Sequence, residues 1–260
     1  MNTILVSSHR RSGTHFLIDS LRKNIPDAVF PNHALLPADF NLGTLYAKTD
    51  RIYRIFRKLI DSNAPVIIKS HLLPEECDLS APRDQHEALI KEIYDQSMKL
   101  YIPRDGKDVL ISLYKFLKPD CSFSEFIREP NDHIVKEIRS IQEYDKNRVS
   151  YWSYHMTQWQ AQPEVYHVPF SDLMSQFKPT IQGILAALGY PAPALIDRPR
   201  IPDNLLWHGI QKKLNHFGLA HLPESSSVRP NQGSKSSGAL HFSKEDETFY
   251  AKYNKVASVE

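Results

Sequence analysis

A polar turn near the start of the chain carries residue types that bind anions. Apolar residues 4–6 predict a buried strand before the turn, and apolar residues at 16–18 and 21 predict a helix after it. A strand that turns into a helix directs backbone N–H groups and the positive end of the helix dipole to one point, which suits a phosphate or sulfate. The turn has the sequence Arg10-Arg11-Ser12-Gly13-Thr14-His15. An ordinary turn in which Ser12 or Thr14 caps the helix is the alternative.

A second turn repeats this pattern further along the chain. Residues 98–102 predict a strand, and Arg104 follows it in a charged turn with one glycine. A helix is predicted to begin at Asp108, and Ser112 lies on that helix. An arginine and a helical serine that converge on one phosphate would form a second anion site. The alternative is a surface arginine–aspartate turn with Ser112 facing solvent.

His71 follows a third buried-strand pattern, at residues 65–70. Reactive groups gather at the carboxyl ends of the strands in parallel α/β sheets. A histidine at such an end, close to Lys69, is a candidate general base. A structural or merely exposed histidine is the alternative.

The overall composition sets limits on the class of protein. The chain has 260 residues, 41% hydrophobic and 24% charged, with a formal net charge of +2. These values predict one globular α/β domain and argue against nucleic-acid binding through bulk charge. Two cysteines without a CxxC pair are typical of a reducing cytosol. Because the N-terminus does not resemble a signal peptide and no apolar run could span a membrane, we expect a cytoplasmic protein.

Other segments are predicted to complete the α/β pattern. Helices are expected at residues 45–60, 84–94, 149–162, 177–188 and 245–253, a strand at 164–169, and irregular chain at 26–42 and 119–131. The basic side of the 45–60 helix is interpreted as solvated, with a membrane surface as the alternative. Aromatic and other large residues at helical spacing in 149–162 are interpreted as core. The serine-rich segment 225–238 is either a flexible linker or a binding loop.

Several of these segments, taken in order, resemble the cytosolic type of PAPS-dependent sulfotransferase. Residues 10–16 are similar to that family's Pro-Lys-Ser-Gly-Thr-Thr-Trp, and residues 69–74 to its Lys-Thr-His-Leu-Pro. Residues 104–116 match its Arg-Asn-Pro-Lys-Asp-Val-x-x-Ser-x-Tyr-x-Phe, which is the most specific of the motifs. Residues 170–173 and 229–243 resemble its later blocks more loosely. The resemblance implies an α/β, P-loop-like three-layer fold with a central, mostly parallel sheet flanked by helices, and one sulfotransferase domain at residues 1–260.

The resemblance also implies a role for each matching residue of the first turn. Four residues would hold the 5′-phosphosulfate of PAPS: Ser12, Gly13, Thr14 and His15. Arg11 stands where the family has a lysine and would stabilise the leaving bridge oxygen. Phe16 replaces the tryptophan that stacks on adenine.

Other segments would bind the 3′-phosphate and deprotonate the reacting hydroxyl or amine. Arg104 and Ser112 would bind the 3′-phosphate, with help from Arg229 and the backbone near Gly233. Phe170 stands where the family has a tyrosine that contacts adenine. His71 would take the acceptor's proton, with Lys69 beside it.

The resemblance therefore implies an enzyme that moves a sulfuryl group from PAPS directly to a hydroxyl or amine of a small molecule, giving PAP. The displacement needs position and positive charge, and no metal is expected because no cluster has metal-ligand spacing. A polar natural product is suggested as acceptor, and a monomer or homodimer is expected. One alternative is a P-loop-like kinase that uses ATP and magnesium, although the Gly-Lys-Ser/Thr ending is absent. The other is a catalytically inactive PAP-binding protein.

Overall fold

A parallel sheet organises the protein. The computed structural model describes residues 3–28, 40–130, 144, 146–191, 193–199 and 242–256. Within these residues the sheet has four strands, β1 (Thr3–Ser7), β2 (Val66–Ser70), β3 (Met98–Tyr101) and β4 (Val165–His167). Their order is β2-β1-β3-β4, and every pair is parallel. The α/β fold with a central parallel sheet is therefore confirmed.

Helices connect and flank the strands. Their bounds within the described residues are α1 (Thr14–Asn24), a 3₁₀-helix (Leu42–Ala47), α2 (Asp50–Ile60), α3 (Pro74–Cys77), α4 (Gln85–Gln96), α5 (Gly106–Leu117), α6 (Phe123–Arg128), α7 (Arg148–Gln160), α8 (Phe170–Ser175), α9 (Phe177–Ala187) and α10 (Lys244–Tyr253). None of the helices in this part of the chain has the length and apolar character needed to cross a bilayer.

Side-chain caps explain three differences from the predicted elements. The helix expected at residues 45–60 is interrupted, because Lys48 is left-handed at φ 51° and Thr49 caps a new helix by accepting from the Ile52 N–H. Helix α5 begins two residues before the expected Asp108, since the Asp105 side chain caps it. Residues 119–131 are not wholly irregular. A capping box of Ser122 and Glu125 begins α6 there.

Both faces of the sheet are buried, as is usual for parallel strands. Because side chains alternate along a strand, Leu5 and Ile68 join one apolar cluster, and Val6 and Ile67 join the cluster on the other face. The segment 149–162 supplies core side chains as expected, and its Trp159 is fully buried.

Trp159 links this core to the chain that follows β2. Its indole stacks on Tyr101 with ring centroids 5.6 Å apart and planes 10° apart. Its Nε1 donates a hydrogen bond to the Leu72 carbonyl at 3.0 Å. The tryptophan thus fixes the backbone immediately after His71.

Candidate active site

Three strands end in register at one edge of the sheet. Ser7, the last residue of β1, pairs with Ser70 of β2 and with Tyr101 of β3. The polar segments that follow these strands must therefore start side by side. They are the first turn (residues 8–13), the second turn (residues 102–105) and the β2 end, which is defined as residues 69–73 and includes the last two residues of the strand.

The first turn has the backbone of an anion-binding loop. Arg11 and Gly13 are both left-handed, at φ 70° and 99°, and Gly13 occupies the N-cap position of α1 without a side-chain cap. The alternative in which Ser12 or Thr14 caps the helix is therefore wrong. The N-terminal helical turn of α1 contains no acidic residue that would offset the helix dipole. The Ser8 and Thr14 hydroxyls lie 2.6 Å apart, and their hydrogen bond is buried.

Phe170 closes one side of both turns. Its backbone N–H donates to the Pro103 carbonyl at 3.0 Å, and its ring lies 4.3 Å from the guanidinium carbon of Arg104. A Cβ placed on Gly13 would lie 2.6 Å from two atoms of the same ring. Only a glycine allows the first turn to approach the ring this closely.

Two arginines connect the first turn to the second. Arg104 donates through Nη1 to the Arg11 carbonyl at 2.7 Å, and Arg11 donates through Nε to the Ser112 hydroxyl at 3.2 Å. The Arg11 guanidinium carbon also lies 4.6 Å from the centre of the Phe116 ring. The two turns are therefore joined directly by Arg11, Arg104 and Ser112. The roles predicted for these residues, with Arg11 at the 5′-phosphosulfate and Arg104 and Ser112 at the 3′-phosphate, stay predictions.

The Arg104 side chain is only partly satisfied. Its Nε is buried and has no hydrogen-bond partner among the described residues. Burial lowers the pKa of Arg104 from its ordinary value, and the nearby carboxylates of Asp108 and Asp105 oppose that shift. A buried guanidinium N–H without an acceptor is costly, so a bound anion at this place would stabilise it.

His71 is held as a neutral base at the β2 end. Its Nδ1 lies 2.7 Å from the Ser8 carbonyl oxygen. Because a carbonyl only accepts, Nδ1 carries the proton and Nε2 of the neutral ring carries a lone pair. Burial, followed by the positive charge of Lys69, lowers the pKa of His71 well below 6.5, although the Ser8 hydrogen bond opposes this. Arg10 and His15 lower the pKa further.

The remaining predicted residues divide into three groups. Lys69 is 7% exposed and lies on β2, close enough to act electrostatically on His71. Phe16 packs its ring against Phe177, with centroids 5.7 Å apart, on the opposite face of the sheet from Trp159. Arg229 and Gly233 lie outside the described residues.

Two contacts of this site were missing from the sequence prediction. Ser8 contacts Thr14 through its hydroxyl and His71 through its carbonyl. Its position directly after an apolar strand could have identified it as a site residue. Phe116 lies four residues after Ser112, so the two share a helix face, and that spacing could have identified it. Within the described ranges, no three acidic, histidine or cysteine side chains are grouped as metal ligands.

Comparison with known proteins identifies the fold. No protein-family model matches the chain, and no curated protein does. Among solved structures, mouse sulfotransferase SULT7A1 in complex with PAP matches with a TM-score of 0.60 at 15% identity. The alignment covers 99% of this chain and 86% of the SULT7A1 chain. Retinol dehydratase in complex with androsterone and inactive cofactor PAP matches with a TM-score of 0.52 at 13% identity. That alignment covers 97% of this chain and 79% of the retinol dehydratase chain. This chain therefore has the sulfotransferase fold that its sequence motifs predict.

Proposed function

We propose that this protein is a PAPS-dependent sulfotransferase acting on a hydroxyl or amine of a small molecule. The observation that carries the proposal is the placement of a neutral histidine beside two turns that are rich in anion-binding groups and joined by arginines. The fold is shared with two proteins whose structures contain PAP, at identities of 15% and 13%. Residues 1–260 would act as one cytoplasmic domain, and a polar natural product is the proposed kind of acceptor.

PAPS would bind across the two turns. The N–H groups at the start of α1 and the hydroxyls of Ser12 and Thr14 suit the 5′-phosphosulfate. The partly satisfied guanidinium of Arg104 and the Ser112 hydroxyl suit the 3′-phosphate, which carries two negative charges for most of the neutral pH range. Arg229 and Gly233 are proposed to contribute to the same phosphate, and Phe16 and Phe170 to contact adenine.

The reaction would be one direct displacement at sulfur. The acceptor oxygen or nitrogen forms a bond to sulfur while the bond from sulfur to the bridge oxygen of PAPS breaks. The electron pair of that bond stays on the bridge oxygen, which leaves as part of PAP. The acceptor's proton goes to Nε2 of His71, whose Nδ1–H is already engaged by the Ser8 carbonyl.

Positive charge is needed where the bridge oxygen becomes more negative. Lys69 is buried beside His71 and is proposed to supply it. The motif resemblance also assigns this role to Arg11. The single displacement requires no covalent intermediate on the enzyme.

The proposal is tested by incubating the protein with PAPS and a set of small-molecule acceptors, and by measuring sulfate mass gain together with PAP release. Replacing PAPS by ATP and magnesium tests the kinase alternative. We expect His71→Asn to abolish transfer while PAP still raises the unfolding temperature, whereas His86→Asn, on α4, should keep both. PAP binding without any transfer, unchanged by His71→Asn, would instead identify an inactive PAP-binding protein.

A further inference from the structure

A single peptide unit orients the His71 ring. It joins Ser8 to His9, and its carbonyl lies 2.7 Å from Nδ1 of His71, which donates to it. The C=O and N–H groups of a trans peptide share one plane and point in opposite directions. Any tilt of this unit therefore moves the carbonyl that orients His71. Whatever binds the N–H at the other end of the unit controls that tilt.

Tyr101 binds the N–H end of the same peptide unit. It is the last residue of β3 and pairs with Ser7 of β1, which places it next to the start of the first turn. Burial raises the pKa of Tyr101 above its ordinary value, and a hydrogen bond with the His9 backbone opposes that shift. A hydrogen bond lowers the pKa of a phenol when it is donated to the oxygen, so the His9 N–H is the donor. The hydroxyl itself stays protonated at neutral pH.

The Tyr101 hydroxyl in turn donates its proton to α7. Its oxygen lies 3.0 Å from Nδ1 of His155, and both side chains are fully buried. A buried O–H requires an acceptor, and a nitrogen of a neutral imidazole provides one. The hydrogen bonds from His71 to the peptide, from the peptide to Tyr101 and from Tyr101 to His155 therefore all run in one direction. Bonds in such a chain polarise and strengthen one another.

Aromatic packing fixes the far end of this chain of hydrogen bonds. The Tyr101 ring stacks on the His155 ring, with centroids 5.7 Å and planes 30° apart, and also on Trp159. The His155 ring meets the His9 ring edge-on, with centroids 5.6 Å apart. Because these rings belong to the buried core, the fold itself sets the position of the Tyr101 hydroxyl.

We infer that Tyr101 and His155 are positioning residues for the proposed base, His71. Together they hold the Ser8–His9 peptide in the orientation that keeps the proton of His71 on Nδ1 and leaves Nε2 to take the acceptor's proton. Both act through the peptide rather than on the reacting atoms. The inference rests on the proposed role of His71 in sulfuryl transfer.

Tyr101→Phe tests the inference, because it removes the hydroxyl and keeps the ring that stacks on Trp159. Two-dimensional ¹⁵N NMR of histidine-labelled protein should show His71 of the wild type as the Nδ1–H tautomer, with His71→Asn used for the assignment. In Tyr101→Phe we expect a mixture of tautomers. We also expect kcat to fall about 10- to 100-fold, while the KM for PAPS changes less than about twofold.

Tyr46→Phe is the matched control. It removes a buried hydroxyl that donates to the Glu76 carbonyl at 2.6 Å, and it should leave the His71 tautomer and kcat unchanged. His155 provides a second pair of variants. His155→Leu removes the acceptor and should act like Tyr101→Phe, whereas His155→Asn supplies an amide oxygen and should keep kcat within about threefold of the wild type.

Two results would overturn the inference and leave the proposed function intact. One is a Tyr101→Phe protein in which His71 keeps the single Nδ1–H tautomer. The other is an equal loss of kcat for His155→Asn and His155→Leu. A folded wild-type protein that transfers no sulfuryl group would overturn both the inference and the proposed function.

Discussion

Substituting Gly13 by alanine tests whether the first turn depends on its close approach to Phe170. The substitution introduces two costs. At φ 99° an L-residue is strained, which costs about 1 kcal/mol. The new Cβ would also lie 2.6 Å from Cδ2 and Cε2 of Phe170, whereas carbon atoms normally stay about 3.5 Å or more apart. The ring must shift by about 1 Å, and such overpacking costs about 1–3 kcal/mol.

Gly189 provides the matched control for this substitution. It is also left-handed, at φ 76°, but a Cβ there would meet no atom within 4 Å. Gly189→Ala should therefore lower the free energy of unfolding by about 1 kcal/mol, from backbone strain alone. Gly13→Ala should lower it by about 2–4 kcal/mol, from strain and overpacking together. The free energy of unfolding is measured for each by urea denaturation.

A double-mutant cycle then isolates the contact. In a Phe170→Ala background, Gly13→Ala should cost about the same as Gly189→Ala, because the ring that it meets has been removed. If Gly13→Ala and Gly189→Ala cost the same in the wild-type background, or if the two substitutions at positions 13 and 170 are additive, the reasoning about close approach is refuted.

Three further predictions follow from the hydrogen bonds and charges of the protein. Because burial and Lys69 lower the pKa of His71 well below 6.5, the rate of sulfuryl transfer should stay constant down to at least pH 6.5 and fall only at lower pH; a half-maximal rate above pH 6.5 would contradict this. Arg104→Ala should weaken PAP by about 1.5–3 kcal/mol in calorimetry, and an unchanged affinity would remove the 3′-phosphate assignment. Asp246→Asn should lower the free energy of unfolding at pH 7 by about 1–3 kcal/mol, because the buried carboxylate accepts from Arg128. Burial raises the pKa of Asp246, but its hydrogen bonds lower the pKa overall. The difference in unfolding free energy should therefore be full above about pH 4 and shrink as the pH falls through the lower folded pKa. A difference that stays unchanged down to the lowest pH at which both proteins are folded would contradict the assignment.

The parts of this site that the sequence predicts are those encoded by neighbouring residues, whereas contacts between distant parts of the chain are not predicted. The strand–turn–helix segments around Gly13 and Arg104 are encoded locally, by apolar runs bounded by polar turns, and were predicted. The position of His71 at the carboxyl end of β2 was also predictable. Its apolar strand pattern is local, and parallel α/β sheets generally gather their functional groups at the carboxyl ends of the strands.

The interactions that orient the side chains were not predictable in the same way. The bond from His71 to the Ser8 carbonyl exists because β2 lies next to β1, and no local pattern encodes that strand order. The reach of Arg11 to Ser112 depends on a left-handed residue that is not a glycine, held by a distant Arg104. Helix α6 is a different case, since its capping box was present in the sequence.

The position of Trp159 gives the protein an intrinsic optical reporter. This residue is one of three tryptophans in the chain, its indole is fully buried, and its N–H is bonded to the carbonyl of the residue after His71. Any displacement of that segment on ligand binding would change the polarity and hydrogen bonding of the ring, and hence its fluorescence. Occupancy of the site could then be followed in real time without a label.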